Sequence, residues 1–544
     1  MSLDVLIVGA GQTGLLLAAQ LARHGIKPRL IDQQPQPSTT SKALAVFART
    51  LEIFDNLGIA EEAIKHGRKL YGANIHDDGK RIAHLSIDKI DSFFPFVLSL
   101  PQSETERILA QLVESFGVKI ERPVTFTTLE QDAEGVTAIL RHADGREERC
   151  RAAWLIGCDG AHSNVRKAAG LNYQGIDVQA LFVLADIKSD WNLSTNNIQV
   201  FFSSSGVLAA FPLPGENNWR LIANLPPDTE LPENPDLQLF QQLTTERSGL
   251  QAILSDPVWT SSFGIRQRIV DKCRAGRVFV AGDALASHSP VGGQGMNTGL
   301  QDAYNLAWKL ALVIKNQAPI DLLDSYQAER EPVSKFLLLS TEWATRAVVQ
   351  SNPAIKFLRR LLAGVTTSFA PVQRRITNTL SELNVNYRNS PIVQEDYPLP
   401  WLSRSPKAGV SVAPLKGARA PDVLVQTDKG QQRLYKVLIN TQHHLLLFGS
   451  KLPKYPKLAQ IAQEIEGKFP DIITVHIVLV STKIAEELQW QGSTLLDPQG
   501  ECHRRYGASS ESLYLIRPDG YIGYRCQGAD VNKLMAYLQK VNLT

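Results

Sequence analysis

The sequence predicts an α/β protein in which a Rossmann-like domain carries an inserted antiparallel-sheet domain and precedes a C-terminal α/β domain. A strand, a glycine-rich turn, a helix and a second strand follow one another at the N-terminus. Short apolar or alternating runs separated by polar turns fill residues 176–270, which is typical of antiparallel strands. Residues 386–421 are rich in proline, as linkers are, and strand-like and helical segments alternate after them.

A chain of 544 residues is too long for a single hydrophobic core, so several domains are expected. The expected first domain comprises residues 1–175 and 271–395, the inserted sheet domain 176–270, and the C-terminal domain 396–544. Residues 71–100, which contain an Asp78-Gly79 turn, are expected to add a hairpin to the inserted sheet.

Composition excludes several classes of protein. The apolar fraction of 44% and the charged fraction of 20% are those of an ordinary globular protein, and a net charge of +3 gives no reason to expect binding to nucleic acid. There is no run of about 18 apolar residues, so no stable membrane insertion is expected. The five cysteines contain no C-x-x-C pair, which argues against a disulfide framework, a metal site or a redox motif and favours a reducing cytoplasm.

The N-terminal segment has the parts of a dinucleotide-binding site. An apolar run, Asp4–Val8, ends at Gly9-Ala-Gly11-Gln-Thr-Gly14, a helical stretch follows, and a second apolar run ends at Asp32. The first glycine allows the tight turn, the second lets a diphosphate approach the backbone, and the third lets the helix pack closely on the strand. An acid in the position of Asp32 can accept hydrogen bonds from the hydroxyls of an unphosphorylated ribose, as in FAD or NAD.

Two downstream motifs favour FAD. The first is an apolar strand from Trp154 that ends in Cys158-Asp159-Gly160 and leads into a helix. The second is a strand that ends in Gly282-Asp283, after which a loop with Pro290 opens a helix near Gly295-Met296-Asn297. Backbone N–H groups at such a helix start suit negative charge on a ligand.

Together these motifs resemble the class A flavoprotein aromatic hydroxylases, which include para-hydroxybenzoate hydroxylase, phenol hydroxylase and polyketide hydroxylases. The match extends to Ser41–Glu52, Pro101–Arg107 and Leu323–Arg330. The resemblance implies that Asp159-Gly160 contacts both FAD and the passing nicotinamide nucleotide, and that Gly282-Asp283 holds the ribityl chain. This sequence departs from the family pattern at Lys42, where arginine is common, and at Phe47, where glutamine is usual.

The candidate cofactor-binding residues combine the motifs with this resemblance. They are Gly9, Gly11, Gly14, Asp32, Lys42, Arg49, Gln102, Asp159, Gly160, Gly282, Asp283, Pro290, Gly295, Met296 and Asn297. The sheet domain is expected to cover the substrate pocket, for which the candidates are Phe96, Phe201, Phe211 and Arg266. No residue is identified as a catalytic base.

The C-terminal domain resembles the thioredoxin-like tail of the phenol hydroxylase and polyketide hydroxylase branch. The run Leu515–Arg525 (LIRPDGYIGYR) carries this likeness. Because the domain has no C-x-x-C pair, a role in packing or oligomerisation is expected rather than disulfide chemistry, and a homodimer stays open.

The resemblance implies a reaction. FAD would be reduced by NADPH or NADH acting as a transient co-substrate, and O₂ would form a C4a-hydroperoxyflavin that hydroxylates a phenolic or polyketide-like ring. No second G-x-G-x-x-G unit is present for a stably bound nicotinamide. Baeyer–Villiger-type or antibiotic-inactivating oxygenation by the same flavin chemistry and a non-catalytic flavin sensor remain alternatives, whereas the W-x-W-x-I-P motif of flavin halogenases is absent.

Overall fold

The computed structural model describes residues 3–39, 41, 43–226, 229–289, 292–349, 370–396, 413–449, 455–481 and 490–543. Two candidate cofactor residues, Lys42 and Pro290, lie outside these ranges. The chain divides into two compact units, the first formed by residues 1–303 and 331–383 and the second by residues 304–330 and 384–544. No helix within the described ranges is long and apolar enough to cross a bilayer.

The first unit contains nineteen of the described strands. They are β1 Leu3–Val8, β2 Arg29–Ile31, β3 Ala45–Val46, β4 Arg68–Leu70, β5 Gly72–Asp77, β6 Lys80–Ser86, β7 Val97–Ser99, β8 Ile120–Glu121, β9 Val124–Gln131, β10 Val136–His142, β11 Glu147–Gly157, β12 Tyr173–Ser189, β13 Asn197–Ser203, β14 Gly206–Pro212, β15 Asn218–Leu225, β16 Leu254–Val270, β17 Arg274–Ala275, β18 Val278–Val280 and β19 Ala286–Ser287.

Helices pack around these strands. They are α1 Gln12–Arg23, α2 Ala48–Asn56, α3 Ala60–His66, α4 Gln102–Ser115, α5 Asn164–Ala168, α6 Leu237–Ser248, α7 Gly295–Ile314, α8 Asp324–Val349 and α9 Ala370–Leu380, with a 3-10 turn over Gly282–Ala284. Helix α7 begins in the first unit and ends in the second, whereas α8 begins in the second and ends in the first.

The first sheet is the Rossmann-like one. Its main path runs β17-β18-β11-β1-β2-β8, and β1 is parallel to both β11 and β2 while β11 is parallel to β18. The central strand β1 is apolar because both of its faces are covered, and Val5, Leu6 and Ile7 have no exposed surface. Parallel strands end at the same edge of a sheet, so the loops after β1, β11 and β18 meet there.

The second sheet holds most of the inserted segment. Its strand order is β19-β16-β12-β15-β14-β13-β5-β6, and the hairpin β5–β6 joins it as expected from the sequence. The turn of this hairpin has positive φ at Asp78 (47°) and Gly79 (75°), the conformation that Asp-Gly favours in two-residue hairpins.

The two faces of the second sheet differ. Helix α6 covers one face, where Phe240 packs against Trp191, Phe201 and Trp219 in a continuous core. Because neighbouring residues of a strand alternate between faces, Arg220 lies on the opposite face from Trp219. An apolar cluster of Ala180, Phe182 and Ile265, with Ile222 and Phe263 packed against it, lies apart from the α6 core.

The second unit is built on a third sheet, in the order β20-β27-β26-β23-β24-β25-β21-β22. Its strands are β20 Gln394–Asp396, β21 Leu424–Thr427, β22 Gly430–Arg433, β23 His443–Phe448, β24 Ile473–Leu479, β25 Ser493–Leu496, β26 Ser512–Ile516 and β27 Ile522–Gln527. Its helices are α10 Leu434–Val437, α11 Tyr455–Lys468, α12 Glu501–Tyr506 and α13 Val531–Lys540, with a 3-10 turn over Ile320–Leu323.

The thiols of the second unit are buried. Cys502 and Cys526 have no exposed surface, both are free, and burial raises the pKa of each. A thiol with a raised pKa is a poor nucleophile, so packing accounts for both residues better than redox chemistry does. The described residues contain no group of three or more His, Cys, Asp or Glu side chains that could hold a metal ion.

A buried ionic cluster ties the helical part of the second unit to its sheet. The Glu329 carboxylate accepts two hydrogen bonds from Arg517 (2.6 and 2.9 Å) and one from Lys309 (2.8 Å), and Arg517 also pairs with Asp519. Burial favours the neutral form of Glu329, but the charges of Arg517 and Lys309 hold its pKa well below the usual range. Burial lowers the pKa of Lys309 to about 8.

Two cations and two anions therefore balance one another inside the protein. Asn305, Trp308 and Ser390 donate further hydrogen bonds to the two carboxylates, so most of the lone pairs are occupied. Such a cluster is tolerated only when it is complete, because removing one partner leaves a charge buried without compensation.

Replacing Arg517 with methionine tests this cluster. Arg517→Met keeps an apolar side chain of similar length but leaves Glu329 and Asp519 with one cation between them, so the free energy of unfolding should fall by about 3–5 kcal/mol. Urea unfolding followed by circular dichroism measures the change. The control, Arg504→Met, replaces an exposed arginine and should shift stability by less than about 0.5 kcal/mol. Equal stability of the two variants would contradict the proposed balance of charges.

Candidate active site

The ends of three parallel strands form the candidate site. Gly9 follows β1 with φ of +103°, and a Cβ at this position would lie 2.4 Å from the carbonyl oxygen of Cys158, which follows β11. A Cβ at Gly14 would lie 1.9 Å from the carbonyl oxygen of Gly9. Both glycines are therefore required by close backbone packing, as the G-x-G-x-x-G pattern predicts.

The side chain of Thr13 joins the glycine-rich segment after β1 to the Gly282-Asp283 turn after β18. The Thr13 hydroxyl of α1 lies 2.6 Å from where a Cβ of Gly282 would stand and 2.7 Å from where a Cβ of Gly299 would stand. Gly282 also has φ of +62°, and its N–H donates to Asp302 (3.1 Å) on α7. Helix α1, the Gly282-Asp283 turn and the start of α7 thus pack around a single hydroxyl group.

The Asp159 carboxylate is directed into its own helix. It accepts hydrogen bonds from the Ser163 hydroxyl (2.5 Å) and from the N–H groups of Asn164 (2.8 Å) and Val165 (3.1 Å). Burial raises the pKa of this carboxyl. Its side chain therefore shapes the turn that it begins. Gly160 is not crowded in this way. A Cβ at Gly160 would have no atom of the described residues within 4 Å, so the backbone of Gly160 is accessible to a ligand.

Arg166 fastens this turn to the Gly282-Asp283 motif. Its guanidinium donates to the carbonyl oxygens of Ala284 (3.0 Å) and Ala161 (2.7 Å) and lies 3.7 Å from the centre of the Tyr173 ring. The Tyr173 hydroxyl donates to the carbonyl oxygen of Asp283 (2.9 Å). The backbone of Asp283 is thereby held in place, while the residue itself is exposed.

Asp32 lies beside the glycine turn. Its carboxylate accepts from the N–H groups of Ala10 (2.7 Å) and Gln34 (2.7 Å), and Arg122 lies 3.7 Å from it. Arg122 also donates to the carbonyl oxygens of Ala10 (3.0 Å) and Gln36 (3.2 Å). Sequence reasoning missed Arg122 because the strand before it, β8, is only two residues long and carries no apolar pattern.

Gln102 connects three parts of the site. Its N–H donates to the Ser41 hydroxyl (2.6 Å), and its side-chain oxygen accepts from the N–H of Ala43 (3.2 Å). Its side-chain nitrogen donates to Gln12 (3.1 Å) and to Glu106 (2.8 Å). Glu106, which sequence reasoning also missed, is buried close to Gly11.

The start of α7 is held by the side chain of Asn297. Its oxygen accepts from the N–H of Phe47 (3.0 Å), and its nitrogen donates to the carbonyl oxygens of Ala45 (2.8 Å) and Gly293 (3.1 Å). Asn297 and Met296 are buried, whereas no atom lies within 4 Å of a Cβ position at Gly295. Among the described residues, the first position of α7 is therefore not crowded by side chains, and the Asn297 side chain fixes the backbone around it.

Arg49 is buried in α2. The guanidinium of Arg49 forms an ion pair with Glu52 (3.0 Å). The backbone N–H of Arg49 donates a hydrogen bond to the carbonyl oxygen of Ser381 (3.3 Å). The side chain therefore stabilises the helix that follows Phe47.

The four candidate substrate-binding residues lie in different parts of the first unit and do not form one cluster. Phe201 lies in the core between the sheet and α6, stacked 4.5 Å from His76, and this placement counts against substrate contact. Arg266 is exposed and points to the opposite face from its neighbour Ile265, which packs with Phe182. Phe211 is half-buried and pairs across the strands with Arg220, so it stays a candidate.

Phe96 is buried next to the second sheet. Its ring lies edge-on to Tyr71, 6.3 Å between centres, and the Lys69 ammonium lies 4.9 Å from its centre. These neighbours fix its orientation, and its contact with a substrate stays a prediction.

An arginine that sequence reasoning missed joins the second sheet to the site. Arg220 is fully buried, forms two hydrogen bonds of 2.7 Å with Asp186, and donates to the carbonyl oxygen of Ala43 (3.2 Å). The Trp259 indole donates to the same carboxylate (2.9 Å). The carboxylate thereby holds the guanidinium in a fixed orientation.

The packing around Thr13 gives a testable prediction. Gly299→Ala places a methyl group 2.7 Å from the Thr13 hydroxyl and 3.1 Å from Cα of Gly282, so it should destabilise the protein by about 1–3 kcal/mol. Thr13→Ala combined with Gly299→Ala should recover part of that loss, as measured by thermal unfolding. The control is Gly467→Ala, because that helical glycine has no atom within 4 Å of a Cβ position. A Gly299→Ala variant as stable as Gly467→Ala would overturn this account.

Comparison with known proteins places the chain in a family. The model for an FAD binding domain matches residues 2–340, and the model for the C-terminal domain of aromatic-ring hydroxylases matches residues 413–542. The chain is 34% identical over 554 residues to 6-methylpretetramide 4-monooxygenase of Streptomyces rimosus, covering 99% of this chain and 94% of that protein. It is 30% identical over 537 residues to pentachlorophenol 4-monooxygenase of Sphingobium chlorophenolicum, covering 98% and 95%.

A solved structure agrees with these matches. OxyS anhydrotetracycline hydroxylase from Streptomyces rimosus superposes with a TM-score of 0.77 at 28% identity over the whole of both chains. The resemblance inferred from the sequence motifs and the expected fold class are both confirmed. The chain belongs to the FAD-dependent aromatic monooxygenases that carry the aromatic-ring hydroxylase C-terminal domain.

Proposed function

We propose that this monooxygenase hydroxylates a phenolic or polyketide-like aromatic compound with O₂ and a transiently bound NADPH or NADH. The observation that carries the proposal is the convergence of the turns after β1, β11 and β18 on one sheet edge, together with a second sheet whose face opposite α6 bears aromatic side chains. When bound, FAD supplies the redox chemistry with O₂, and the protein supplies position and electrostatics.

The residues at the sheet edge fit FAD. No side chain caps the start of α1, so its first N–H groups are suited to a diphosphate that approaches over Gly11. Asp32 is held by the N–H of Ala10 with its carboxylate at the end of β2, where it would accept hydrogen bonds from a ribose. The side chain of Asp283 is exposed, and the hydrogen bond from Tyr173 holds its backbone in place. Both properties suit a residue that accepts hydrogen bonds from the ribityl hydroxyls.

The start of α7 would stabilise negative charge on the ring system. The N–H groups of Gly295, Met296 and Asn297 carry the positive end of a 20-residue helix. Because the Asn297 side chain binds backbone atoms on both of its sides, these groups are oriented before any ligand arrives. Preorganised donors of this kind suit the N1–C2=O side of a reduced flavin.

An aromatic substrate would suit the face of the second sheet that lies opposite α6. Phe182 and Phe263 stack there with ring centres 5.9 Å apart and planes at 11°, and Ile222 packs beside them. Flat aromatic compounds gain from burial against such rings. Arg220 lies on the same face, where its ion pair with Asp186 is electrically neutral and joins the sheet to the backbone of Ala43.

We propose the reducing cytoplasm as the setting. All five cysteines lie within the described residues and none of them forms a disulfide there, which supports a reducing compartment. We also propose a homodimer, because the C-terminal domain lacks a C-x-x-C pair and is expected to serve in packing or oligomerisation. Light scattering of the purified protein measures the oligomeric state.

Isotope labelling tests the reaction. Phenols, naphthoquinones and fused-ring polyketides are screened for stimulated oxidation of NADPH and NADH, and the active compound is then turned over under ¹⁸O₂. We expect one ¹⁸O atom in each product molecule, carried as a ring hydroxyl. Label from H₂¹⁸O, or no compound that stimulates oxidation of either nucleotide, would overturn the proposal.

Asp283 gives a separate prediction for the cofactor. Asp283→Ala removes the proposed acceptor for ribityl hydroxyls, and the loss of hydrogen bonds to a charged group weakens FAD binding by about tenfold to a hundredfold. The ratio of flavin to protein absorbance after purification and the Kd for added FAD measure this loss. Glu216→Ala, at an exposed loop position, is the control and should stay fully loaded. An Asp283→Ala protein that is yellow and saturated would count against the assignment.

A further inference from the structure

Glu106 is a buried acid at the edge of the proposed diphosphate position. It lies on α4 with 7% of its surface exposed, and its Oε1 is 3.9 Å from where a Cβ of Gly11 would stand. No other atom comes within 4 Å of that position. The open space over Gly11 is therefore bounded by this carboxyl group.

The surroundings of Glu106 compensate a negative charge on its carboxyl group only in part. Among the described residues, the one hydrogen bond to its carboxyl comes from Gln102, which donates to Oε1 (2.8 Å). Two charged groups face it, Asp32 from the end of β2 and Arg122 from the segment after β8. The Arg122 guanidinium is bound to the carbonyl oxygens of Ala10 and Gln36 and lies 3.7 Å from Asp32.

These surroundings favour the protonated acid. Burial is the main cause that raises the pKa of Glu106, and the charge of Asp32 adds to it, while the Gln102 hydrogen bond and Arg122 oppose it. A diphosphate over Gly11 would bring further negative charge and strengthen the preference. An ionised carboxylate beside a diphosphate is repelled, whereas a carboxylic acid can donate a hydrogen bond to it.

We propose that Glu106 binds FAD as a neutral carboxylic acid whose hydroxyl group donates a hydrogen bond to the diphosphate at the glycine turn. This inference rests on the proposed FAD site. The proton comes from solvent, so a protein in which Glu106 is ionised must take up one proton when FAD binds.

The sign of the pH dependence follows from this uptake. Below the pKa of Glu106 in the free protein the acid is already protonated, so affinity does not depend on this group. Above that pKa, binding consumes a proton and the Kd for FAD rises by up to about tenfold per pH unit. The rise ends where the pH exceeds the pKa of Glu106 in the complex.

The experiment titrates flavin-free protein with FAD and follows the quenching of flavin fluorescence at pH values from about 5.5 to about 8.5. Wild type should lose affinity across part of this range. Glu106→Gln keeps the shape and a donor but cannot ionise, so it should bind FAD with a Kd that varies less than about twofold with pH. The control is Glu104→Gln on the same helix, which should keep the wild-type slope.

A second measurement needs no variant. Calorimetric titration of the wild-type protein in two buffers with different ionisation enthalpies gives the number of protons bound per FAD. We expect uptake of up to about one proton at the pH where the Kd changes, and none at a pH below the pKa of Glu106 in the free protein.

The outcomes separate this inference from the proposed function. If wild type fails to bind FAD at any pH, the proposed site itself is wrong. If wild type binds FAD without proton uptake, or if Glu106→Gln keeps the wild-type slope, the site stands and the role of Glu106 is wrong. Loss of FAD binding in folded Glu106→Gln would show that Glu106 acts as a carboxylate acceptor and would also overturn the inference.

Discussion

Close contact between backbones at one sheet edge is the constraint on which the site depends. The backbone of Cys158 excludes a side chain at Gly9, the backbone of Gly9 excludes one at Gly14, and the Thr13 side chain excludes one at Gly282. Because these three positions are glycines, the turns after β1, β11 and β18 can approach one another at one sheet edge. A dinucleotide is recognised at such a surface by fixed donors and a helix end, with few side chains required.

Side chains act mainly by holding this backbone surface in shape. Asp159 caps its own helix, Asn297 joins the start of α7 to β3, and Arg166 connects two of the motifs. These residues lie within motifs that the sequence points to, but their contacts are with protein atoms. Their substitution would alter cofactor binding indirectly, through the geometry of the turn.

The glycine positions of the first motif and the hairpin at Asp78-Gly79 were predictable because each follows from local pattern and backbone conformation. The partners Arg122 and Arg220 were not, because each contacts residues far away in sequence and lies in no motif. Glu106 lies in the matched stretch Pro101–Arg107, but its burial beside Gly11 depends on the packing of α4 against the glycine turn and is not visible in the sequence. Phe201 shows another limit. Its neighbour Phe202 occupies the opposite face of the same strand, and only the register of the sheet decides which of the two meets α6.

The ionic cluster of the second unit has a consequence for the order in which the chain becomes structured. Arg517 binds Glu329 across 188 residues of sequence. At ribosomal rates of about 5–20 residues per second, roughly 10–40 s pass between synthesis of the two partners. Throughout that time Lys309 is the one cation of the cluster that has been synthesised, and the carboxylate of Glu329 lacks its second cation. The buried cluster can therefore be completed only after the last strands of the chain have left the ribosome.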